Sequence, residues 1–183
     1  MANLIILGAG GHANTVYEIA HESKSFSEIN FLDDTFGTEE IKNKRMRTKI
    51  IGKIDLIYSK SILDSHEYAF VAIGNNKVRS NLLNNLEEVG FKIPYLKHNS
   101  AIISNTVQIS SGVLFAANSV VQSFSRIGKG TIINTSSTID HDCIIGKCVH
   151  VCPGVNIAGE VEIGENSFIG IGSKVIQQIK VGK

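Results

Sequence analysis

Thirteen residues from Thr138 to His150, TIDHDCIIGKCVH, hold two histidines, two aspartates and two cysteines within an otherwise aliphatic stretch. Residues of these types support two chemistries. His141 and His150 with Cys143, Cys148 and Cys152 could gather a zinc ion, whereas His141 between Asp140 and Asp142 could act as a general base with an orienting carboxylate. The cysteine spacing lacks the paired C-x-x-C of a zinc knuckle, so no metal is expected. A plain solvated surface histidine is the alternative for His141.

A second candidate lies near the N-terminus. GAGGHA sets Gly8, Gly10 and Ala13 in a G-x-G-x-x-A pattern, and Asp33 follows at about the distance of a ribose-binding acid. Alone, that pattern suggests NAD, or only a structural glycine turn. Asp33 and Asp34 equally fit turn residues that close a strand.

The chain around these candidates is ordinary in bulk. With 183 residues, 43% hydrophobic and 19% charged, it can build one full domain or two small ones, each with its own core. Eighteen Lys and Arg stand against seventeen Asp and Glu with no long run of like charge, so no nucleic-acid or membrane-surface partner is expected and the substrate should be small. The apolar run LIIL is too short for a signal-peptide core or a membrane insertion, and a cytoplasmic protein is expected. Three cysteines do not make a disulfide framework.

Two grammars divide the chain. Residues 1–97 alternate strands and helices: NLIILG, the helix HANTVYEIAHE, EINFLDD, then YAFVAIG followed by NNKVRSNLLNNLEEVG. In the last helix Val78, Leu82, Leu86 and Val89 recur at helical spacing, Asn75 or Asn76 can cap its start, and Gly90 can stop it. The pattern predicts a small Rossmann-like α/β unit whose helices open at the carboxyl edge of a mainly parallel sheet, near Gly8 to Gly11 and near Gly74 and Asn75, where backbone N–H groups favour phosphate.

From residue 98 to 183 a six-residue period takes over. Stepping by six from Ile103 to Val181, every position is large and apolar, and the residue four places later is small at all but Ile179. Such a repeat predicts a parallel β-helix: short straight segments, three to a coil, successive coils about 4.8 Å apart. Cys143 falls on a small position and reads as a filler. The sequence ends half-way through a coil at VIQQIKVGK, and either a shortened chain or an incomplete sequence is the expectation.

The hexad frame resembles the left-handed parallel β-helix of hexapeptide-repeat acyltransferases. Together with LIILGAGGHA, FLDD, AIGNN and NTSSTIDHDCIIGKCVHVCPGVNIAGEVEIG, nearly the whole chain is similar to the NeuD/PglD family of bacterial sugar acetyltransferases, which are trimers that use acetyl-CoA. The resemblance implies the left hand of the coil, a homotrimer, acetyl-CoA as co-substrate, and N-acetylation of the amine of a nucleotide-linked amino-deoxysugar in surface-glycan biosynthesis. It also implies roles. His141 would be the base and Asp142 its partner, with Asp140 in reserve because relatives often carry glutamate at the partner position. Asn134 would lie near the sugar, His150 near the thioester carbonyl, and Gly159 would offer an N–H to the oxyanion. Gly10, Gly11 and His12 would line the phosphates, and Asp33 and Asp34 would approach the base or ribose. The alternatives are O-acetylation of sialic acid on the same scaffold, or a non-catalytic trimeric sensor of nucleotide sugar or NAD.

Overall fold

The computed structural model describes residues 2–37 and 50–182. Two compact units divide between Pro94 and Tyr95. The first contains β1 (Ala2–Leu7), α1 (Gly11–Glu22), β2 (Phe26–Leu32), β3 (Ile50–Gly52), a 3-10 turn (Ile54–Tyr58), α2 (Lys60–Ser65), β4 (Tyr68–Val71) and α3 (Asn76–Glu88). Its strands are all parallel, in the order β3-β2-β1-β4. β1 lies inside the sheet with Leu4 to Leu7 fully buried, which is why LIIL is unbroken by polar residues: a parallel strand covered on both faces needs apolar side chains on both. α1 buries Ala13, Val16, Ile19 and Ala20 at three- and four-residue intervals, the spacing of one helical face.

α3 departs from its predicted face. Asn75 caps it, its side chain accepting from Val78 N–H, and Gly90 follows its end at φ +91°, both as expected. Its buried residues are Arg79, Leu83 and Leu86, however, whereas Val78 is exposed. The helix is turned by about one residue from the apolar stripe. Arg79 lies on this buried face with Leu83 and Leu86, its guanidinium donating to the carbonyls of Ile73 and Gly74.

The second unit is built from fifteen two-residue strands, β5 (Leu96–Lys97) to β19 (Lys180–Val181), one every six residues. They form three parallel five-stranded sheets in which each strand pairs with the one eighteen residues away, as in Ile127↔Ile145, Ile133↔Val151 and Ile139↔Ile157. Three hexads therefore make one coil of a left-handed parallel β-helix. Leu96 and Lys97, read from sequence as the tail of the first domain, already pair with Leu114 and Phe115 and begin the coil. All fourteen large hexad residues from Ile103 to Val181 belong to one core. Full burial of such a side chain contributes roughly 1.5–3 kcal/mol relative to exposure, so the stacked column stabilises the coil.

Every sixth residue from Gly112 to Gln178 has positive φ, at values from +53° to +69°. Each marks a corner. Only Gly112, Gly130, Gly154 and Gly172 among them are glycines; the series otherwise includes Asn118, Asp142 and even Phe124. A different column of glycines is sterically required. A Cβ on Gly146 would lie 2.7 Å from Glu165 N and 2.9 Å from Ile163 O, both backbone atoms of the next coil. Gly146→Ala is therefore expected to cost about 1–3 kcal/mol of stability, as overpacking does when backbone must move. Thermal unfolding checks this, and an unchanged midpoint would mean that the coils spread freely here.

Candidate active site

His141 sits on the corner after β12 (Thr138–Ile139), and that corner is held from both neighbouring coils. Below it, the Ser125 hydroxyl donates to Asp140 O at 2.8 Å and accepts from Cys143 N–H at 3.1 Å. Above it, the Cys143 thiol donates to Ala158 O at 3.2 Å. The small inward residues thus tie coils together through polar atoms as well as fill space, a role their size alone did not reveal. Burial raises the pKa of the Cys143 thiol, which keeps it protonated. The three cysteines are free and buried, and among the described residues no three His, Cys, Asp or Glu side chains are grouped to hold a metal.

The His141 side chain is half exposed, and its Nδ1 lies 2.8 Å from Asp142 Oδ2. Aspartate is long enough at this position because Asp142 occupies the left-handed region at φ +57°, which turns its short side chain back toward the preceding residue. Asp140 is used otherwise, its Oδ1 accepting from His141 N–H at 2.9 Å. An ionised carboxylate only accepts, so Nδ1 carries the proton shared with Asp142, and in the neutral ring Nε2 keeps its lone pair. The hydrogen bond to Asp142 raises the pKa of His141 above the ordinary histidine value; slight desolvation opposes it, and the charges of Asp140, Asp142 and Glu160 add to it.

Gly159 lies eighteen residues on, in the next coil. A Cβ there would come within 2.7 Å of His141 Cε1 and 2.8 Å of Nε2, so the imidazole rests directly over the glycine. Asn134 and His150 meet elsewhere on the coil. Asn134 Nδ2 is 3.1 Å from His150 Nε2, and His150 packs edge-on against Phe168 with ring centroids 5.3 Å apart. Asn134 follows β11 (Ile132–Ile133) and His150 begins β14 (His150–Val151), so this pair belongs to a different sheet edge from the His141 corner.

In the first unit, the loops after β1 and β4 come together. Gly8 has φ +96°, and a Cβ on it would strike Ile73 Cγ1 at 2.9 Å, so only glycine permits this approach. Gly10, Gly11 and Gly74 face open space instead. Asp33 receives Ala9 N–H on Oδ2 at 2.6 Å, and the Thr35 N–H and hydroxyl on Oδ1 at 2.9 and 2.6 Å. Burial works against its charge, but these three donors together hold its pKa below the usual carboxylate range. Asp34 Oδ1 accepts Ile54 N–H at 3.2 Å. Both aspartates brace local backbone, as turn residues do. His12, in the first turn of α1, has its pKa lowered by burial and then by the charge of Arg79.

Residues 3–86 match the PglD N-terminal domain family. Over its whole length the chain superposes on the acetyltransferase domain of PglB from Neisseria gonorrhoeae FA1090 in complex with acetyl coenzyme A, with a TM-score of 0.90, 38% identity and 85% of that chain covered. The chain belongs to the NeuD/PglD-like family of sugar acetyltransferases. Another similar structure is PerB from Caulobacter crescentus in complex with CoA and GDP-perosamine, with a TM-score of 0.89, 29% identity and 84% of that chain covered. GDP-perosamine N-acetyltransferase of Escherichia coli O157:H7 is 25% identical over 180 residues, which span 95% of this chain and 78% of that protein. Family and fold class thus agree with the sequence reading. Among the described residues no helix is long and apolar enough to cross a membrane.

Proposed function

We propose that the protein transfers the acetyl group of acetyl-CoA to the amine of a nucleotide-linked amino-deoxysugar in surface-glycan biosynthesis, with His141 as general base. The observation that carries this reading is the His141–Asp142 pair on a β-helix corner, in a chain similar throughout to sugar N-acetyltransferases. As the sugar amine attacks the thioester carbon, His141 Nε2 takes its proton, and the imidazolium is stabilised by Asp142. On collapse the C–S bond breaks, and the thiolate leaves or takes that proton back. A thiol is a good leaving group near neutral pH, so one base suffices.

Gly159 N–H is the proposed donor to the oxyanion, His150 with Asn134 the group beside the thioester and sugar, and Gly10, Gly11, His12, Gly74 and Asn75 the phosphate-side wall. Since Asp33 and Asp34 brace the loops, their share of the ribose or base is what their remaining exposed edges offer. A homotrimer in the cytoplasm completes the proposal, and sedimentation checks the subunit number. The deciding experiment is acetyl-CoA turnover against UDP-, dTDP- and GDP-linked amino sugars and against sialic acids. Turnover only with sialic acids would replace N- by O-acetylation, and no turnover with any acceptor would remove the enzyme reading.

The raised pKa of His141 sets a pH dependence. A protonated imidazole cannot accept the amine proton, so kcat/KM should fall as pH drops through a value above that of ordinary histidine. Asp142→Asn removes the main cause of the rise. The acid limb of the profile should then move to lower pH, with a smaller loss at the plateau than removal of the imidazole gives. An acid limb that stays in place would show that Asp142 does not govern this titration.

A further inference from the structure

We propose that Arg79 is the positioning residue of the nucleotide-sugar pocket: its buried guanidinium fixes the β4–α3 loop and supplies a permanent positive charge that favours a diphosphate-linked ligand. This rests on the nucleotide-sugar reading given above. Arg79 is 1% exposed, an unusual place for a cation. Its Nη1 donates to the carbonyls of Ile73 and Gly74 at 2.9 and 3.0 Å, and its Nη2 to Asn76 Oδ1 at 2.7 Å. A single planar fork therefore holds three polar attachment points, on residues 73, 74 and 76, between the end of β4 and the first turn of α3. Lysine has no such geometry.

The same loop is the one that Gly8 admits to close contact with the β1–α1 loop, since any side chain at Gly8 would meet Ile73 Cγ1 and Ala72 O. Arg79 thereby stands behind both loops that open at the carboxyl edge of the sheet, and its charge reaches His12 on the far one. Burial and Arg79 both disfavour a charge on His12, so the histidine offers a neutral ring at neutral pH while the arginine stays cationic. Gly10, Gly11 and Gly74 have open space where a Cβ would stand, and α1 begins at Gly11 with the positive end of its dipole. Such a field rewards the two phosphates of an activated sugar and is indifferent to a neutral sugar.

The test uses the full chain with Arg79→Gln and Arg79→Lys. Binding of UDP, dTDP and GDP is measured by calorimetry, the His12 titration by NMR, and steady-state constants for both substrates. Arg79→Gln should weaken nucleoside diphosphate binding roughly tenfold to a hundredfold, the scale of one partly screened charge nearby. It should also raise the His12 pKa and leave the KM for acetyl-CoA unchanged. Arg79→Lys keeps the charge and loses the fork, so it should keep His12 depressed and bind diphosphate more weakly than the parent but more tightly than Arg79→Gln. Parental diphosphate affinity in either variant, or an unmoved His12 in Arg79→Gln, overturns the proposal, and the lysine variant decides the positioning role if Arg79→Gln does not fold. If the parent protein itself binds no nucleoside diphosphate, the nucleotide-sugar reading fails and takes this inference with it.

Discussion

His141→Ala should lower kcat by about 10²- to 10⁴-fold, the range expected when acid–base assistance is lost. The side chain is half exposed on a corner and lies outside the apolar column that stabilises the coil, so its removal opens no core cavity. The corner itself keeps its ties through Ser125 and Cys143. Circular dichroism and thermal unfolding should therefore match the parent, and the KM for acetyl-CoA should change little. The loss should also flatten the acid limb of the pH profile, because the titrating group has gone. A folded alanine variant with the parental kcat would falsify the assignment of His141 as base.

Gly159→Ala should give the second largest loss, on the order of 10²-fold in kcat, as a displacement of about an ångström can cost that much. Alanine keeps the backbone N–H that the oxyanion would use. What it adds is a methyl group 2.7–2.8 Å from His141 Cε1 and Nε2, closer than van der Waals contact allows. The ring is the exposed end of a side chain and can swing away cheaply, so stability should be nearly unchanged while the imidazole leaves its place. A displaced His141 should lose its bond to Asp142, and its titration should return toward the ordinary value. Parental activity in Gly159→Ala would mean that the ring need not rest on the glycine during turnover.

The coil was legible because its physics is periodic. Ile103 to Val181 all face one interior, and a one-residue slip anywhere would have broken the frame, so fourteen matching positions left little freedom. The meeting of His141 with Asp142 was readable as a candidate, since neighbours on a corner can touch. The turn of Asp142 into the left-handed region, which lets the shorter acid reach, was not, because aspartate carries no unique signal for it. Gly159 was noticed for its N–H, whereas its missing Cβ matters through a ring eighteen residues away in sequence. Arg79 was overlooked for a related reason: periodicity seeks apolar stripes, and a charged residue turned inward to loop carbonyls hides among polar ones. Asp33 shows the converse, a residue whose motif position suggested a ligand and whose oxygens hold the chain's own backbone.

The positive-φ corners have a consequence for how this architecture acquires and loses chemistry. Glycine is at ease in that conformation, while another residue is strained by about 1–2 kcal/mol. Asp142 is therefore a less stable occupant of its corner than glycine is at the equivalent Gly112, Gly130, Gly154 and Gly172. Since every corner has the same backbone, side-chain identity alone separates a silent corner from a reactive one, without rerouting the chain. Glycine at residue 142 would relax this corner and leave His141 without its orienting carboxylate, so the site gives up a little stability to hold its base in place.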